Sequence, residues 1–329
     1  MDDSLDQPAD GSPASGPGVV EVAPRDGLQN EARALSPAQR ADLIARAVAA
    51  GARRVEAVAF VHPGRVPQMA GAEEVMARVE RIGGVRYSGL VLNARGMERA
   101  SASGVDEVNY VVVASDTFSR RNQGVSTREA LAAWEGIAAR AHAEGIGRSL
   151  TIAAAFGCPF EGETPEAAVA ELARIGLESG AEEIVLADTI GVAAPDAVTR
   201  LLTAVRELAP GVVLRCHFHN TRNTGYANAV AASAAGAAWL DSSLGGIGGC
   251  PFAPAATGNI ATEDLVYLLR RMGLDPGIDL EAAAATGTWL GGVLGIETPA
   301  LLGRAGPFPG AGAGAGARAG MPASRRGEE

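Results

Sequence analysis

The chain has 329 residues, of which 47% are hydrophobic and 20% charged, and its formal net charge is −10 at pH 7. This length and composition are typical of one large α/β domain that buries a sizeable core. The negative charge argues against nucleic acid as a partner, because neutralising phosphates requires a basic face. No apolar run reaches the roughly 18 residues that a transmembrane helix needs, so no membrane span is predicted.

Both ends of the chain differ in composition from the middle. Residues 1–17 are rich in Asp, Ser, Pro and Gly and lack the basic and apolar features of a signal peptide, which predicts a disordered lead and a cytoplasmic protein. Residues 297–329 are mostly Gly, Ala, Pro and Arg and predict a disordered tail. The folded domain is therefore expected at 18–296. The 3 Cys form no C-x-x-C pair, so neither a disulfide framework nor a zinc knuckle is suggested.

Between these ends, short apolar runs rich in β-branched residues alternate with amphipathic segments. The predicted strands are 19–22, 54–61, 87–92, 107–114, 150–156, 184–187, 212–219 and 239–244. The predicted helices are 37–50, 72–82, 97–103, 127–143, 165–179, 195–208, 225–235 and 262–272, with a further C-terminal helix at 280–294. When each strand is followed by a helix, neighbouring strands pair in parallel and are connected by right-handed crossovers.

Eight such units match a (β/α)8 TIM barrel with a C-terminal helical extension and disordered termini. A doubly wound open sheet is the competing architecture. Polar and glycine-rich clusters follow almost every predicted strand, among them 24–27, 115–117, 188–189 and 245–249. In a barrel they would all meet at one rim, where the active sites of this fold lie, and this favours the barrel.

The seventh predicted strand ends in two histidines, His217 and His219, whose side chains point to the same face because strand residues alternate. With Asp26, at the exit of the first strand, they make a set of two histidines and one carboxylate. Such a set is also known from non-haem iron enzymes, so iron is an alternative. Asn259 could add a carbonyl oxygen and shift the preference to Mg²⁺ or Mn²⁺.

Other side chains at the same rim could carry chemistry. Arg25 would stand beside the cation, where a guanidinium stabilises an oxyanion or enolate, unless it only pairs with Glu56 on the next strand. The glycine-rich run 245–249 predicts a mobile loop, and Cys250 at its end is a candidate reactive thiol. Candidate substrate-binding residues are Arg120, Arg121 and Asn122 in the loop after the fourth strand, and Asp188 and Thr189 after the sixth.

Four segments carry a resemblance to a known family. Residues 21–31 (EVAPRDGLQNE), 60–69 (FVHPGRVPQM), 187–191 (ADTIG) and 245–267 closely resemble hydroxymethylglutaryl-CoA lyases, which are metal-dependent TIM-barrel lyases. The resemblance implies that Asp26, His217, His219 and Asn259 hold a divalent cation, Mg²⁺ or Mn²⁺. It likewise implies catalytic roles for Arg25, Glu56 and Cys250.

The implied reaction is a retro-Claisen cleavage of 3-hydroxy-3-methylglutaryl-CoA to acetyl-CoA and acetoacetate, a step of leucine degradation. An acyl-CoA thioester is then the substrate, and a homodimer is plausible. The chain departs from the family where Asn220 follows the second histidine in place of Asp, and where Ala32 replaces Lys. Alternatives are a lyase for another 3-hydroxyacyl-CoA, a Claisen-type synthase, which would lack the glycine-cysteine segment, and a non-catalytic barrel.

Overall fold

The computed structural model describes residues 16–249, 258–306 and 308, and in this part of the chain eight parallel strands form a closed barrel. The strands are β1 (Gly18–Glu21), β2 (Arg54–Ala59), β3 (Arg86–Val91), β4 (Glu107–Val113), β5 (Gly147–Ala153), β6 (Glu183–Asp188), β7 (Val213–Phe218) and β8 (Trp239–Ser242). They pair in chain order, and β1 closes the barrel by pairing with β8 from Gly18↔Trp239 to Glu21↔Ser242. This closure confirms the predicted barrel and excludes the open sheet.

Helices surround the strands. They are α1 (Pro37–Ala49), α2 (Ala72–Arg78), α3 (Ala94–Ala102), α4 (Asp116–Gln123), α5 (Thr127–Ala143), α6 (Glu166–Glu178), α7 (Pro195–Leu208), α8 (Gly225–Ala234), α9 (Thr262–Arg271), α10 (Leu280–Leu294) and α11 (Leu302–Ala305). A π-helical turn, Ala23–Gly27, follows β1, and single 3-10 turns occur at Pro67–Met69 and Leu244–Gly246. Among the described residues, no helix has both the length and the hydropathy to cross a membrane.

The main core lies between the outer face of the barrel and the helices. Trp134 on α5 and Leu150 on β5 are both fully buried there, and the indole N–H of Trp134 donates to the Gly176 carbonyl at 3.2 Å. The start of α5 is fixed by a capping box, in which Ser126 and Glu129 satisfy each other's backbone N–H groups. Rigid packing of this kind holds the strand exits, and thus the candidate site, in place.

Several element bounds differ from the sequence predictions by a few residues, for example at α2, which ends at Arg78 rather than at 82. Three further differences concern the strand exits and the C-terminal segment. Strand β5 ends at Ala153 rather than at 156, because Ala154 adopts a left-handed backbone with φ of 55°. The segment with Arg120, Arg121 and Asn122 was predicted as a loop but is helix α4, which Ser115 caps. Ordered structure also continues past 296, because α11 follows and Leu302 is buried. The predicted lead at 1–17 and tail at 297–329 otherwise lie almost entirely outside the described residues.

Candidate active site

Three candidate metal ligands come together at the rim formed by the carboxyl ends of the strands. Asp26 lies on the π-helical turn after β1, His217 on β7, and His219 just beyond the end of β7. One ligand atom of each lies within 4.8 Å of the other two. The alternation of side chains along β7 produces this convergence, and Phe218, which lies between the two histidines, is buried on the other face.

The two imidazoles face each other through nitrogen atoms. Nε2 of His217 lies 3.1 Å from Nε2 of His219 and 3.8 Å from Asp26 Oδ2. Burial and the neighbouring His217 lower the pKa of His219 to about 3, so its ring is neutral at physiological pH. Burial disfavours charge on His217 too, but its hydrogen bond to Asp241 and the negative charges of Asp26 and Asp241 together outweigh this effect and raise its pKa.

Asn259 completes the cluster from the segment after β8. Its side-chain N–H group donates to Asp26 Oδ2 at 2.9 Å and to the Ile247 carbonyl at 3.2 Å. Its Oδ1 is buried and has no hydrogen-bond partner among the described residues. A buried carbonyl oxygen without a donor is costly, and a cation beside Asp26 would satisfy it. Carboxylate, imidazole and amide oxygen together suit a divalent cation such as Mg²⁺ or Mn²⁺.

The inside of the barrel also holds a network of buried ion pairs. It joins the guanidinium groups of Arg25, Arg54 and Arg215 to five carboxylates, which are Asp26, Glu56, Glu107, Glu183 and Asp241. The partly exposed Arg86 also lies 3.8 Å from Glu107. Arg54, Glu107 and Glu183 are the first residues of β2, β4 and β6, so they lie at the opposite end of the strands from Asp26. The pairs that adjoin the candidate ligands are those of Arg25 and that of Arg215 with Asp241.

Arg25 is fixed beside the cluster by two carboxylates. Its guanidinium donates to Asp26 Oδ1 at 2.7 Å and also to Glu56 Oε2. The second oxygen of Glu56 accepts from Asn109 at 3.0 Å, and Asn109 accepts in turn from Thr151 at 2.8 Å. Burial disfavours the charged guanidinium, but Glu56 and Asp26 outweigh burial and raise the Arg25 pKa, so the side chain stays cationic. For Asp26, burial is likewise outweighed by Arg25 and the histidines, which hold its pKa below the usual range.

The glycine-rich run reaches the rim directly above the cluster. Gly248, with φ of 113°, leaves so little space that a Cβ there would lie 2.5 Å from the Asn259 amide and 3.0 Å from the Gly27 backbone. The Gly249 carbonyl accepts from Asn30 at 2.9 Å. The chain thus enters 250–257 next to the proposed ligands. Cys250 itself lies outside the described residues.

Two of the remaining predicted site residues, Asp188 and Thr189, already have hydrogen-bond partners. The Asp188 carboxylate accepts from the backbone N–H groups of Val192 at 2.9 Å and Ala193 at 3.0 Å, and burial raises its pKa. The Thr189 hydroxyl accepts from the Ala154 amide at 2.9 Å. Both side chains thus also brace the loop after β6.

On α4, Arg120 pairs with Asp116 at 2.9 Å, whereas the Arg121 guanidinium lies 4.2 Å from the centre of the Phe160 ring. Arg121 makes no ion pair within the described part of the chain. Asn122 is exposed on the same helix. Of these three side chains, Arg121 is the one whose charge is available to an anionic ligand.

Sequence reasoning missed Asp241, which lies on β8 and bonds to His217. A signal was present, because a carboxylate inside a buried strand needs a partner. The Trp-Leu-Asp-Ser sequence of β8 holds such a carboxylate. Buried Glu21 and Glu263 were missed too; they accept the backbone N–H groups of Leu244 and Gly245 at 3.0 Å each, at the start of the glycine-rich run.

Comparison with known proteins places this site in a family. The HMGL-like family model matches residues 17–289. An (R)-citramalyl-CoA lyase from Chloroflexus aurantiacus is 46% identical over 299 residues, which cover 88% of this chain and 94% of that protein. A hydroxymethylglutaryl-CoA lyase from Pseudomonas mevalonii is 43% identical over 277 residues, which cover 84% of this chain and 92% of that protein.

A solved HMG-CoA lyase from Acinetobacter baumannii, in complex with coenzyme A and 3-methylmalate, superposes with a TM-score of 0.84 at 39% identity, covering 88% of this chain and 95% of that one. The range of the family model, residues 17–289, spans the barrel and contains the positions of Asp26, His217, His219 and Asn259. This chain therefore belongs to the HMGL-like family, among lyases of CoA thioesters.

Proposed function

We propose that the protein is a metal-dependent carbon–carbon lyase that cleaves a 3-hydroxy-3-methyl-acyl-CoA bearing a free carboxylate, releasing acetyl-CoA and an oxo acid. The observation that carries this proposal is the convergence of Asp26, His217 and His219 within 4.8 Å beside the fixed guanidinium of Arg25. A protein that only binds a metal ion would not need a buried guanidinium group next to the metal ligands. A retro-Claisen enzyme needs such a group to stabilise the enolate.

The reaction breaks the C2–C3 bond and moves its electron pair toward the thioester oxygen, while the C3 hydroxyl loses its proton to a base and becomes a ketone. A divalent cation held by Asp26, His217, His219 and Asn259 would supply Lewis acidity that lowers the pKa of that hydroxyl. Arg25 stabilises the enolate charge on the thioester oxygen. Glu56 does so indirectly, because with both oxygens engaged it holds Arg25 in position.

The enolate must then be protonated at C2 to give acetyl-CoA. We assign this general-acid step to Cys250, which directly follows Gly249 in the chain. Support comes from the contacts of Gly248 and Gly249 with Gly27 and Asn30, which bring the chain to the metal cluster immediately before the cysteine. A thiol at this point of the chain would deliver the proton to C2 after bond cleavage.

Two acyl groups satisfy this chemistry. 3-Hydroxy-3-methylglutaryl-CoA, predicted from the sequence motifs, would give acetoacetate as the second product. (R)-Citramalyl-CoA, one methylene shorter, would give pyruvate, and it is favoured by the 46% identity to a citramalyl-CoA lyase. Both substrates place a tertiary hydroxyl and a carboxylate where one cation can bind them. They differ mainly in the volume that the acid end requires.

The test is a cleavage assay on the metal-stripped protein, with each substrate in turn and with Mg²⁺ or Mn²⁺ added back, following acetyl-CoA and the oxo acid. We expect no turnover without metal, recovery on addition, and a clear difference in kcat/KM between the substrates. His219→Ala should abolish recovery, and Cys250→Ser should lower kcat by roughly a hundredfold or more. Cleavage that persists after chelation, or a fully active Cys250→Ser protein, would contradict the corresponding assignment.

Recognition of the CoA portion is proposed for the rim after β4. Arg121 on α4 offers an unpaired cation, and Arg120, Asn122, Asp188 and Thr189 surround the same end of the barrel. A homodimer is a further proposal, supported by Ile296 and Leu301, apolar side chains that are 41% and 62% exposed near the C-terminal helix. A cytoplasmic location and a role in leucine degradation remain predictions.

A further inference from the structure

His217 has a hydrogen-bond partner, Asp241, on the side of its ring that faces away from the proposed cation. Its Nδ1 lies 3.0 Å from Oδ2 of Asp241, whereas its Nε2 faces His219 and Asp26. An ionised carboxylate can only accept a hydrogen bond, so the ring must carry its proton on Nδ1. The lone pair is then on Nε2, the atom that a cation would bind.

Strand register places Asp241 in this position. In the pairing of β7 with β8, His217 is directly opposite Asp241, two residues beyond Arg215↔Trp239. Arg215 and His217 are on the same face of β7 because they are two residues apart. The carboxylate of Asp241 is therefore held between an arginine below and an imidazole above, entirely inside the barrel.

Arg215 fixes the other oxygen of this carboxylate. Its Nε donates to Asp241 Oδ1, and its Nη1 lies 3.5 Å from Glu183 Oε1. The side chains of Arg215 and Asp241 are 1% and 4% exposed, so neither can exchange these partners for water. With one oxygen bound to Arg215, Asp241 has a single orientation in which it can accept from His217.

The second imidazole lacks such support. Nδ1 of His219 is buried and has no hydrogen-bond partner in the described part of the chain. Nothing on that side of the ring defines its tautomer or rotation. The two histidines are thus unequal, and His217 is the one that is oriented before a cation arrives.

From this geometry we propose that Asp241, itself held by Arg215, is a positioning residue for the metal: it fixes the Nδ1–H tautomer of His217 and aims Nε2 at the cation. Carboxylates that bind the far nitrogen of a metal-ligating histidine orient the ring and increase its basicity, and their loss weakens metal binding about 10- to 100-fold. This inference rests on the metal site of the proposed function but not on the identity of the substrate.

The test compares Asp241→Asn with Glu107→Gln. Glu107 is also a buried interior carboxylate, paired with Arg54 at 2.7 Å and Ser149 at 2.8 Å, but it does not touch His217. Binding of Mn²⁺ to the stripped proteins is measured by titration with detection of the free ion by electron paramagnetic resonance. We expect Kd to rise about 10- to 100-fold in Asp241→Asn and to stay within about threefold of wild type in Glu107→Gln.

Equal affinities in wild type and Asp241→Asn would overturn the proposal, as would an equal loss in both variants. If the wild-type protein binds no Mn²⁺, the proposed function and this inference fail together; if it binds and Asp241→Asn binds as tightly, only this inference fails. If Asp241→Asn does not fold, the tautomer of His217 in the wild-type apoprotein is determined instead from the NMR chemical shifts of its ring nitrogens. The His217→Gln variant, which lacks these signals, assigns them to His217. At a pH where the His217 ring is neutral, the proton is expected on Nδ1, and a neutral ring protonated on Nε2 instead would refute the idea.

Discussion

At the scale of single residues, two neighbouring arginines on α4 differ in whether their charge is already paired. Arg121 lies over Phe160 without an ion pair in the described chain, whereas its neighbour Arg120 is 60% exposed and bonded to Asp116 one turn earlier. Exposed pairs of the second kind contribute little to affinity or stability. The two arginines therefore form a matched pair for experiment.

We expect Arg121→Ala to raise KM for the CoA thioester about tenfold with little change in kcat, because it removes a charge-assisted contact made equally in substrate and transition state. Arg120→Ala should change KM by less than about twofold. Steady-state kinetics at low ionic strength provide the measurement, since salt screens such contacts. An identical KM for both variants and wild type would remove α4 from substrate binding.

From the sequence, the proximity of the candidate ligands was easier to predict than the side chains that hold them in position. Asp26, His217 and Asn259 could be grouped because strand exits of a parallel barrel meet at one rim, and this follows from chain order alone. Asp241 could not be assigned to His217 in the same way. Its partner depends on the register between β7 and β8, which is set by packing around the whole barrel.

At the scale of elements, Glu21 joins three of them at the end of β1. Its carboxylate accepts from the Ala23 amide at 2.8 Å, the Leu244 amide at 3.0 Å and the Thr262 hydroxyl at 2.7 Å. It thereby ties β1 to the start of the glycine-rich run and to α9. Burial raises the pKa of Glu21 from 4.5 to about 7 despite these bonds.

This pKa predicts a pH dependence of stability with a definite sign. Between about pH 4.5 and 7 the folded state holds the proton of Glu21 more tightly than the unfolded chain does, so its contribution to the free energy of unfolding falls as pH rises through that window. Relative to Glu21→Gln, the wild type should lose roughly 3 kcal/mol between about pH 5 and 8 in urea unfolding.

Glu129→Gln is the control for the opposite sign. Glu129 is an exposed member of the capping box of α5, and its hydrogen bonds to Ser126 lower its pKa. Its small contribution should therefore be present at neutral pH and disappear as pH falls through its lowered pKa. A wild-type protein that gains stability relative to Glu21→Gln on going to higher pH would contradict the assignment of a buried, protonated Glu21.

Elements themselves were predictable where the hydrophobic period agreed with a start signal. Examples are α5, which Ser126 caps, and α7, which begins with Pro195, and the bounds of both match the prediction at both ends. Helix α4 was missed because its 8 residues are mostly polar and carry only Phe118 and Ser119 as buried positions. Its cap at Ser115 and its left-handed end at Gly124 were readable signals. Short polar helices depend on such caps more than on an apolar face.

At the scale of the whole molecule, the segment after α10 packs on the start of the glycine-rich run. The Ala300 amide donates to the Gly245 carbonyl at 3.1 Å, and the Leu302 amide donates to Asp264 on α9 at 2.8 Å. A Cβ at Gly245 would lie 3.0 Å from Thr298, which shows how closely the two segments approach. This contact joins the last described part of the fold to the active-site loop.

We predict that a chain ending at Gly306 keeps its kcat, whereas a chain ending at Gly295 loses several kcal/mol of stability and most of its activity. The second truncation removes buried Ala300 and Leu302 together with their hydrogen bonds, and each such loss costs on the order of 1 kcal/mol or more. Hydrogen exchange at the Gly245 amide, which donates to Glu263, gives the local measurement. Unchanged exchange in the shorter chain would show that the contact is unimportant.

The proposed metal ligands come from distant parts of the chain, with Asp26 after the first strand, His217 and His219 at the end of the seventh, and Asn259 after the eighth. During synthesis, Asp26 therefore leaves the ribosome nearly two hundred residues before its partners. A cation can engage the full ligand set only after the barrel has closed, so it cannot act as a template for early folding. We therefore expect a bound cation to stabilise the closed barrel rather than to assist its formation.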